Sequence, residues 1–191
     1  MTILSTIAST SGGALRPRSR LRARLVLACL SACGLAALAW ASFVRPLPRL
    51  VYNPSDSVAV GWYHVGPPDA LRVGAIVLTT LPPDAAALAA QRRYLPARVP
   101  LLKRVGAMAP QHVCIFDALV WIDGVPVAAL LPADRLGRPL PFWPHCRRLE
   151  AGELFLLSST NPASFDSRYF GPVSVSTVTG VAQPVWLEKQ P

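Results

Sequence analysis

One long apolar run and a series of short alternating ones divide this chain. Residues 25–44 (LVLACLSACGLAALAWASFV) hold neither a charge nor a proline. As a helix, twenty such residues span about 30 Å, the thickness of a bilayer's hydrocarbon core. Beyond them, residues 57–65 and 73–80 are rich in β-branched positions, bounded by Gly-Pro-Pro and Pro-Pro, and read as strands. Residues 83–94 (PDAAALAAQRRY) are the best soluble helix, dominated by Ala and Leu. Strands are expected again over 99–108, 113–122 and 125–130, the last two joined by Asp123-Gly124, a two-residue hairpin signal. Residues 131–150, with four prolines, read as loop, and 153–158 and 173–181 close the pattern as strands. The prevailing period is two, so the working domain is mainly β.

Charge sharpens the reading of the apolar run. The net charge is +9, but Arg16, Arg18, Arg20, Arg22 and Arg24 lie in the acid-free first 24 residues, and the remainder carries only +4. No basic groove is implied, and no nucleic-acid partner. Five arginines before the run against Arg45 and Arg49 after it place the N-terminus inside the cell by the positive-inside rule. The chain then divides into a cytoplasmic basic arm (1–24), a transmembrane anchor (25–44) and an exported domain (45–191). Two Ala-x-Ala sites within 37–41 and a lipobox-like Leu-Ser-Ala-Cys ending at Cys33 offer cleaved alternatives. The apolar run continues eleven residues past Cys33, which favours the uncleaved anchor. All three fates deliver the domain to the same side.

Cysteine use agrees with export. Cys29 and Cys33 lie in the span, leaving Cys114 and Cys146 as a pair in the oxidising compartment, where a disulfide is expected. Such a bridge contributes roughly 3–4 kcal/mol in the chain-entropy model. His112 and His145 neighbour these cysteines, but no Cys-x-x-Cys pair supports zinc, and neither a metal nor any other cofactor is expected.

Lysine is scarce. Lys189 is near the end, and Lys103 stands in the apolar run Val-Pro-Leu-Leu-Lys-Arg-Val. If it points inward, desolvation lowers its pKa and yields a neutral amine able to act as a base. The competing reading is an edge-strand lysine with its head in water. A histidine triad is disfavoured: His64 alternates onto a strand surface, and no Gly-x-Ser-x-Gly elbow presents a serine.

Two further segments bear on this lysine: Asn53-Pro-Ser-Asp-Ser-Val-Ala-Val-Gly-Trp-Tyr63 and Ser164-Phe-Asp-Ser-Arg-Tyr-Phe-Gly-Pro-Val173. With Leu-Lys-Arg-Val between them, the chain from about Tyr52 to Val181 resembles the membrane-bound serine–lysine signal peptidases (S26), in the TraF-like conjugative-transfer branch. The resemblance implies a signal-peptidase-like β fold behind one transmembrane helix. It implies Ser57 as nucleophile and Lys103 as general base. Ser55 then joins the backbone N–H of Ser57 in an oxyanion hole, Ser164 orients the lysine, and Asp166 and Arg168 brace the site as a charged pair. Ala59 stands where relatives commonly have proline, and residues 108–112 replace a Pro-Gly-Asp turn.

The function implied is cleavage of an exported precursor, a conjugative pilin with an Ala-x-Ala-like site, at the outer face of the bacterial inner membrane. The acyl-enzyme is resolved by water or by a peptide amine. Lipid bilayer and type IV secretion components are the implied surroundings. The alternatives are a housekeeping type I signal peptidase, a non-catalytic anchored module of a secretion apparatus, and a self-cleaving repressor, which would need a DNA-binding domain in place of the span.

Overall fold

A computed structural model describes residues 17–43, 49–158 and 160–188. The chain falls into two units, residues 1–46 and 47–191. The first contributes one helix, α1 (Pro17–Phe43). Its stretch Arg20–Ser42 is long and apolar enough to cross a membrane. Val44, the last residue of the expected span, lies outside the described residues, as do residues 1–16 of the basic arm and Lys189.

The second unit is built from antiparallel strands. In chain order they are β1 (Leu50–Asn53), β2 (Gly61–Gly66), β3 (Ile76–Thr79), β4 (Leu101–Met108), β5 (His112–Phe116), β6 (Leu119–Ile122), β7 (Val125–Ala129), β8 (Cys146–Arg148), β9 (Glu153–Leu157), β10 (Val173–Ser174) and β11 (Val178–Leu187). Helices α2 (Pro83–Gln91) and α3 (Ser167–Phe170) interrupt them. One seven-stranded sheet runs β1-β2-β11-β3-β4-β9-β10 and a four-stranded sheet runs β7-β6-β5-β8. The mainly β architecture expected from the period of two is therefore the one observed. Ala107 of β4 and Phe155 and Leu157 of β9 pack with Val113, Val120 and Ile122 of the smaller sheet, so one apolar cluster joins the two. A second cluster, containing Val58, Tyr63, Leu78 and Leu102, underlies the residues around Ser57.

Several elements differ from the sequence expectation for local reasons. The strand expected from residue 57 begins at Gly61, and Ser57 lies in a turn. Asn53 is the cause: its amide Nδ2 donates to the carbonyls of Ser55, Val58 and Ala59 at 2.6, 3.0 and 3.1 Å, curling the chain. The expected strand 113–122 is two strands, because Asp117 and Ala118 both take left-handed φ (50° and 55°) and form a tight hairpin turn without glycine. The hairpin at Asp123-Gly124 is present, with φ of 49° and 82°. Within the expected loop 131–150, β8 pairs with β5 and sets Cys146 directly opposite Cys114, to which it is disulfide-bonded. The strand expected at 173–181 is broken by a 3-10 turn over Val175–Thr177, and β11 then continues to Leu187. β1 and α3 were not foreseen.

Two glycines permit the close passage of β2 and β11. A Cβ on Gly180 would lie 2.1 Å from the Gly66 carbonyl oxygen, and one on Gly61 (φ 146°) would lie 2.2 Å from that of Trp186. The obstacle in each case is backbone, which cannot swing aside. Gly180→Ala is expected to lower the melting temperature by several degrees, roughly 1–3 kcal/mol of overpacking, measured by thermal denaturation.

Candidate active site

Ser57 and Lys103 line one cavity of about 770 Å³ and are both buried, at 9% and 4% exposure. Lys103 belongs to β4 and pairs with Val77 of β3, and its side chain is buried rather than held out in water. Its ammonium donates to the Ser164 hydroxyl. Burial pushes the amine down from its usual 10.5 to about 8, with Arg168 adding to the depression while Asp166 and Asp56 oppose it. A lysine at that value holds a substantial neutral fraction near physiological pH, which is what a general base requires.

The Ser57 hydroxyl shares a 2.8 Å hydrogen bond with the Ser55 hydroxyl, and Ser55 in turn donates to Asn53 Oδ1 at 2.9 Å. Serine 57 is thus oriented by Ser55 and not by a direct bond to the amine. Ser55 is the residue expected at the oxyanion site, and it stands beside the Ser57 hydroxyl. His64 is exposed on β2, as its alternation indicated.

Asp166 and Arg168 are completely buried and form a bidentate pair, Nε to Oδ1 at 2.8 Å and Nη2 to Oδ2 at 2.9 Å. The guanidinium also donates to the carbonyls of Ser164 (2.9 Å), Pro162 (2.8 Å) and Ala129 (2.7 Å). It therefore fixes the backbone that presents Ser164 to the lysine.

Sequence reading assigned no role to Ser158. Its N–H donates to Asp166 Oδ2 at 3.0 Å, and its hydroxyl donates to the backbone carbonyl of Ser57 at 2.8 Å. Two residues on, Thr160 donates to the carbonyl of Asp56, and Asn161 Nδ2 donates to the Asp56 carboxylate at 2.6 Å. A serine in Leu-Leu-Ser-Ser carries no signal of such a role. Asn53 could have been suspected, because asparagine before proline commonly organises a turn.

The disulfide lies in the smaller sheet. The cluster of His112, Cys114 and Cys146 has metal-ligand atoms within 4.8 Å of one another, but both sulfurs are spent in the bridge.

The family profile described as "Signal peptidase, peptidase S26" matches residues 22–187. Plasmid transfer protein TraF of Escherichia coli is 33% identical over 177 residues, covering 87% of this chain and 95% of that protein. Probable conjugal transfer protein TraF of Sinorhizobium fredii is 33% identical over 145 residues, covering 72% and 76%. Among solved structures, a signal peptidase I from Enterococcus faecalis shares 20% identity at a TM-score of 0.37, over 58% of this chain and 95% of that one.

The lysine carries a stability cost that can be measured. Holding a charged amine with pKa about 8 instead of 10.5 costs about 3 kcal/mol at neutral pH. The folded pKa lies below the unfolded one, so the cost is complete below pH 8 and is relieved as pH rises towards 10.5. Lys103→Met is accordingly expected to be more stable than the parent at pH 7, with the gap closing by pH 10, as followed by denaturant titration at both values. Separately, Asp56 raises the amine's pKa, so Asp56→Asn is expected to shift the ascending acidic limb of any reaction that needs the neutral Lys103 amine to lower pH. An unmoved limb would show that the amine is not the titrating group.

Proposed function

Because this chain belongs to the signal peptidase family, peptidase S26, we propose that it is a membrane-anchored serine endopeptidase that cuts an exported precursor with a Ser57/Lys103 dyad. The observation that carries this reading is the buried amine of Lys103, held by Ser164 on the wall of the cavity that also contains Ser57. The neutral amine takes the Ser57 proton as Oγ attacks the scissile carbonyl, because a serine hydroxyl is a poor nucleophile until an adjacent base accepts that proton. The developing oxyanion is met by the Ser55 hydroxyl and the Ser57 N–H, and loss of one such donor typically costs about 100- to 1000-fold. The protonated amine then returns the proton to the leaving nitrogen. Water or a second amine resolves the acyl-enzyme.

The precursor binds as an added strand. β2 is paired on both sides, by β1 and β11, and offers no edge. The first half of β4 differs: it pairs with β3 from Leu101 onward but meets β9 only from Arg104. Val105 exchanges both backbone bonds with the β3 side, at Gly74 and Ala75. Hydrogen-bonding direction alternates along a strand, so Leu102 presents its N–H and C=O to the open side. An extended peptide laid there brings alternate side chains against Leu102, Leu78 and Val51, which line the cavity and suit small residues. Ala-x-Ala is the preference that follows.

Conjugation enters through the relatives, whose names describe plasmid and conjugal transfer. We place the substrate among exported pilin-like subunits on that basis, with a housekeeping signal peptidase as the second reading. The anchor would be α1, with the N-terminus cytoplasmic and the domain periplasmic, consistent with the disulfide.

The test uses the full-length chain and a precursor peptide carrying Ala-x-Ala before the cut. Ser57→Ala and Lys103→Ala are each expected to reduce turnover at least about 1000-fold while the protein remains folded. Phenylalanine immediately before the cut is expected to block processing, whereas phenylalanine one position earlier is tolerated. Normal cleavage by either variant would refute the dyad, and equal tolerance at the two positions would refute strand addition.

A further inference from the structure

The cavity that holds the dyad is far larger than two methyl-sized subsites need. At about 770 Å³ it lies in the range of pockets that enclose drug-sized ligands. Beyond Leu102 it continues to Leu81, Ala89, Leu95, Val99 and Phe165, an apolar extension contributed by α2 and the approach to β4.

The outer wall of this extension is a built structure. The segment 131–140 folds on itself through a bridge between Ala133 and Pro139. Asp134, with a side chain only 8% exposed, accepts hydrogen bonds from the Tyr94 hydroxyl, from Arg138 Nε at 2.7 Å, and from the N–H groups of Leu136 (2.9 Å) and Arg138 (3.0 Å). Arg92, which ends α2, lies 3.9 Å from the same carboxylate and donates to the Pro139 carbonyl at 2.8 Å. Tyr94 packs its ring 5.4 Å from Phe165, the neighbour of Ser164. The wall is thus fastened both to α2 and to the segment that orients Lys103.

We propose that this extension is a substrate subsite beyond the Ala-x-Ala positions, taking one large apolar side chain of the precursor, and that Asp134 is the positioning residue that holds its wall. The proposal rests on the peptidase reading. Val99 precedes Lys103 by four residues, about 13 Å along an extended chain. A peptide continuing along the open side of β4 therefore brings a residue roughly four positions before the cut over the extension. Its occupant is apolar, since Leu81, Ala89, Leu95, Val99 and Phe165 line the extension while the charges of its wall, Arg92, Asp134 and Arg138, are engaged with one another, and it is continuous with the proposed site of cleavage.

The experiment measures binding in the inert Ser57→Ala background, using the full-length chain in nanodiscs. Labelled peptides spanning the cut carry either Leu or Ser four positions before it, and affinity is read by fluorescence anisotropy. The Leu peptide is expected to bind at least tenfold more tightly. Val99→Trp, which fills the extension from an exposed position, is expected to abolish that difference. Asp134→Asn is expected to weaken the Leu peptide about tenfold and the Ser peptide less than twofold. Turnover of a short Ala-x-Ala ester by the unmodified chain, with Ser57 intact, is measured in parallel as the separate check on catalysis. Equal affinity for the two peptides, discrimination surviving in Val99→Trp, or an equal loss for both peptides in Asp134→Asn would each overturn the proposal; lipid filling the extension would produce the first of these. Absence of ester turnover by the unmodified chain, with discrimination retained, would instead refute the peptidase reading and leave the subsite standing.

Discussion

The buried pair of Asp166 and Arg168 is the interaction on which the site depends. Neither charge reaches solvent, and each has its remaining hydrogen-bonding capacity filled by backbone, the condition under which a buried ion pair is tolerable. Its worth lies in geometry. From Arg168 the bonds run to the carbonyl of Ser164, whose hydroxyl receives the Lys103 ammonium. From Asp166 they run through Ser158 to the carbonyl of Ser57. One rigid, planar contact therefore sets the position of both members of the proposed dyad, which lie on segments far apart in the sequence. A lysine in place of Arg168 would offer a point charge without the fork that reaches the Asp166 carboxylate and three carbonyls together.

The same pair also shapes the electrostatics. Burial alone would depress the Lys103 amine, and Asp166 and Arg168 act on it with opposite signs. Because the two charges are bound to each other, neither dominates the amine's surroundings, and desolvation remains the leading influence. The result is a value near 8, where a small change of pH exchanges ammonium for amine. Apolar walls supply the rest: Leu102 precedes the lysine in β4, and Leu78 packs against Leu102 beneath it.

Much of this was legible in the sequence, and the exceptions share a cause. The mainly β class, α2, the Asp123-Gly124 hairpin and the pairing of Cys114 with Cys146 follow from period, turn chemistry and compartment, all of which are local or countable. Lys103 could be singled out because a charge amid Val, Leu and Pro is costly anywhere. Ser158 and Asp134 could not, since each acts through partners more than 30 residues away, Ser57 for one and Tyr94 for the other. The split of 113–122 into two strands escaped because Asp117 and Ala118 adopt left-handed backbone without the glycine that usually marks it. The short β8 and α3 escaped because three or four residues carry no period to read.

The misplaced start of β2 is the most informative difference. Val58, Ala59 and Val60 have the composition of a strand, and propensity extends the strand back to Ser57. In a strand, however, the N–H of Ser57 would be spent in a ladder, and no donor would be left for an oxyanion. Asn53 resolves the conflict by taking three carbonyls onto one side-chain amide, so the segment is satisfied without pairing. Val58 then points down into the core at 1% exposure while Ser57 turns its hydroxyl towards Ser55 in the cavity. Local propensity yields here to a single asparagine because three hydrogen bonds to carbonyls outweigh the few tenths of a kcal/mol by which strand preferences typically differ. The departure from propensity falls at the position where a strand would have obstructed the chemistry proposed for Ser57, which is where natural sequences tend to break their own local rules.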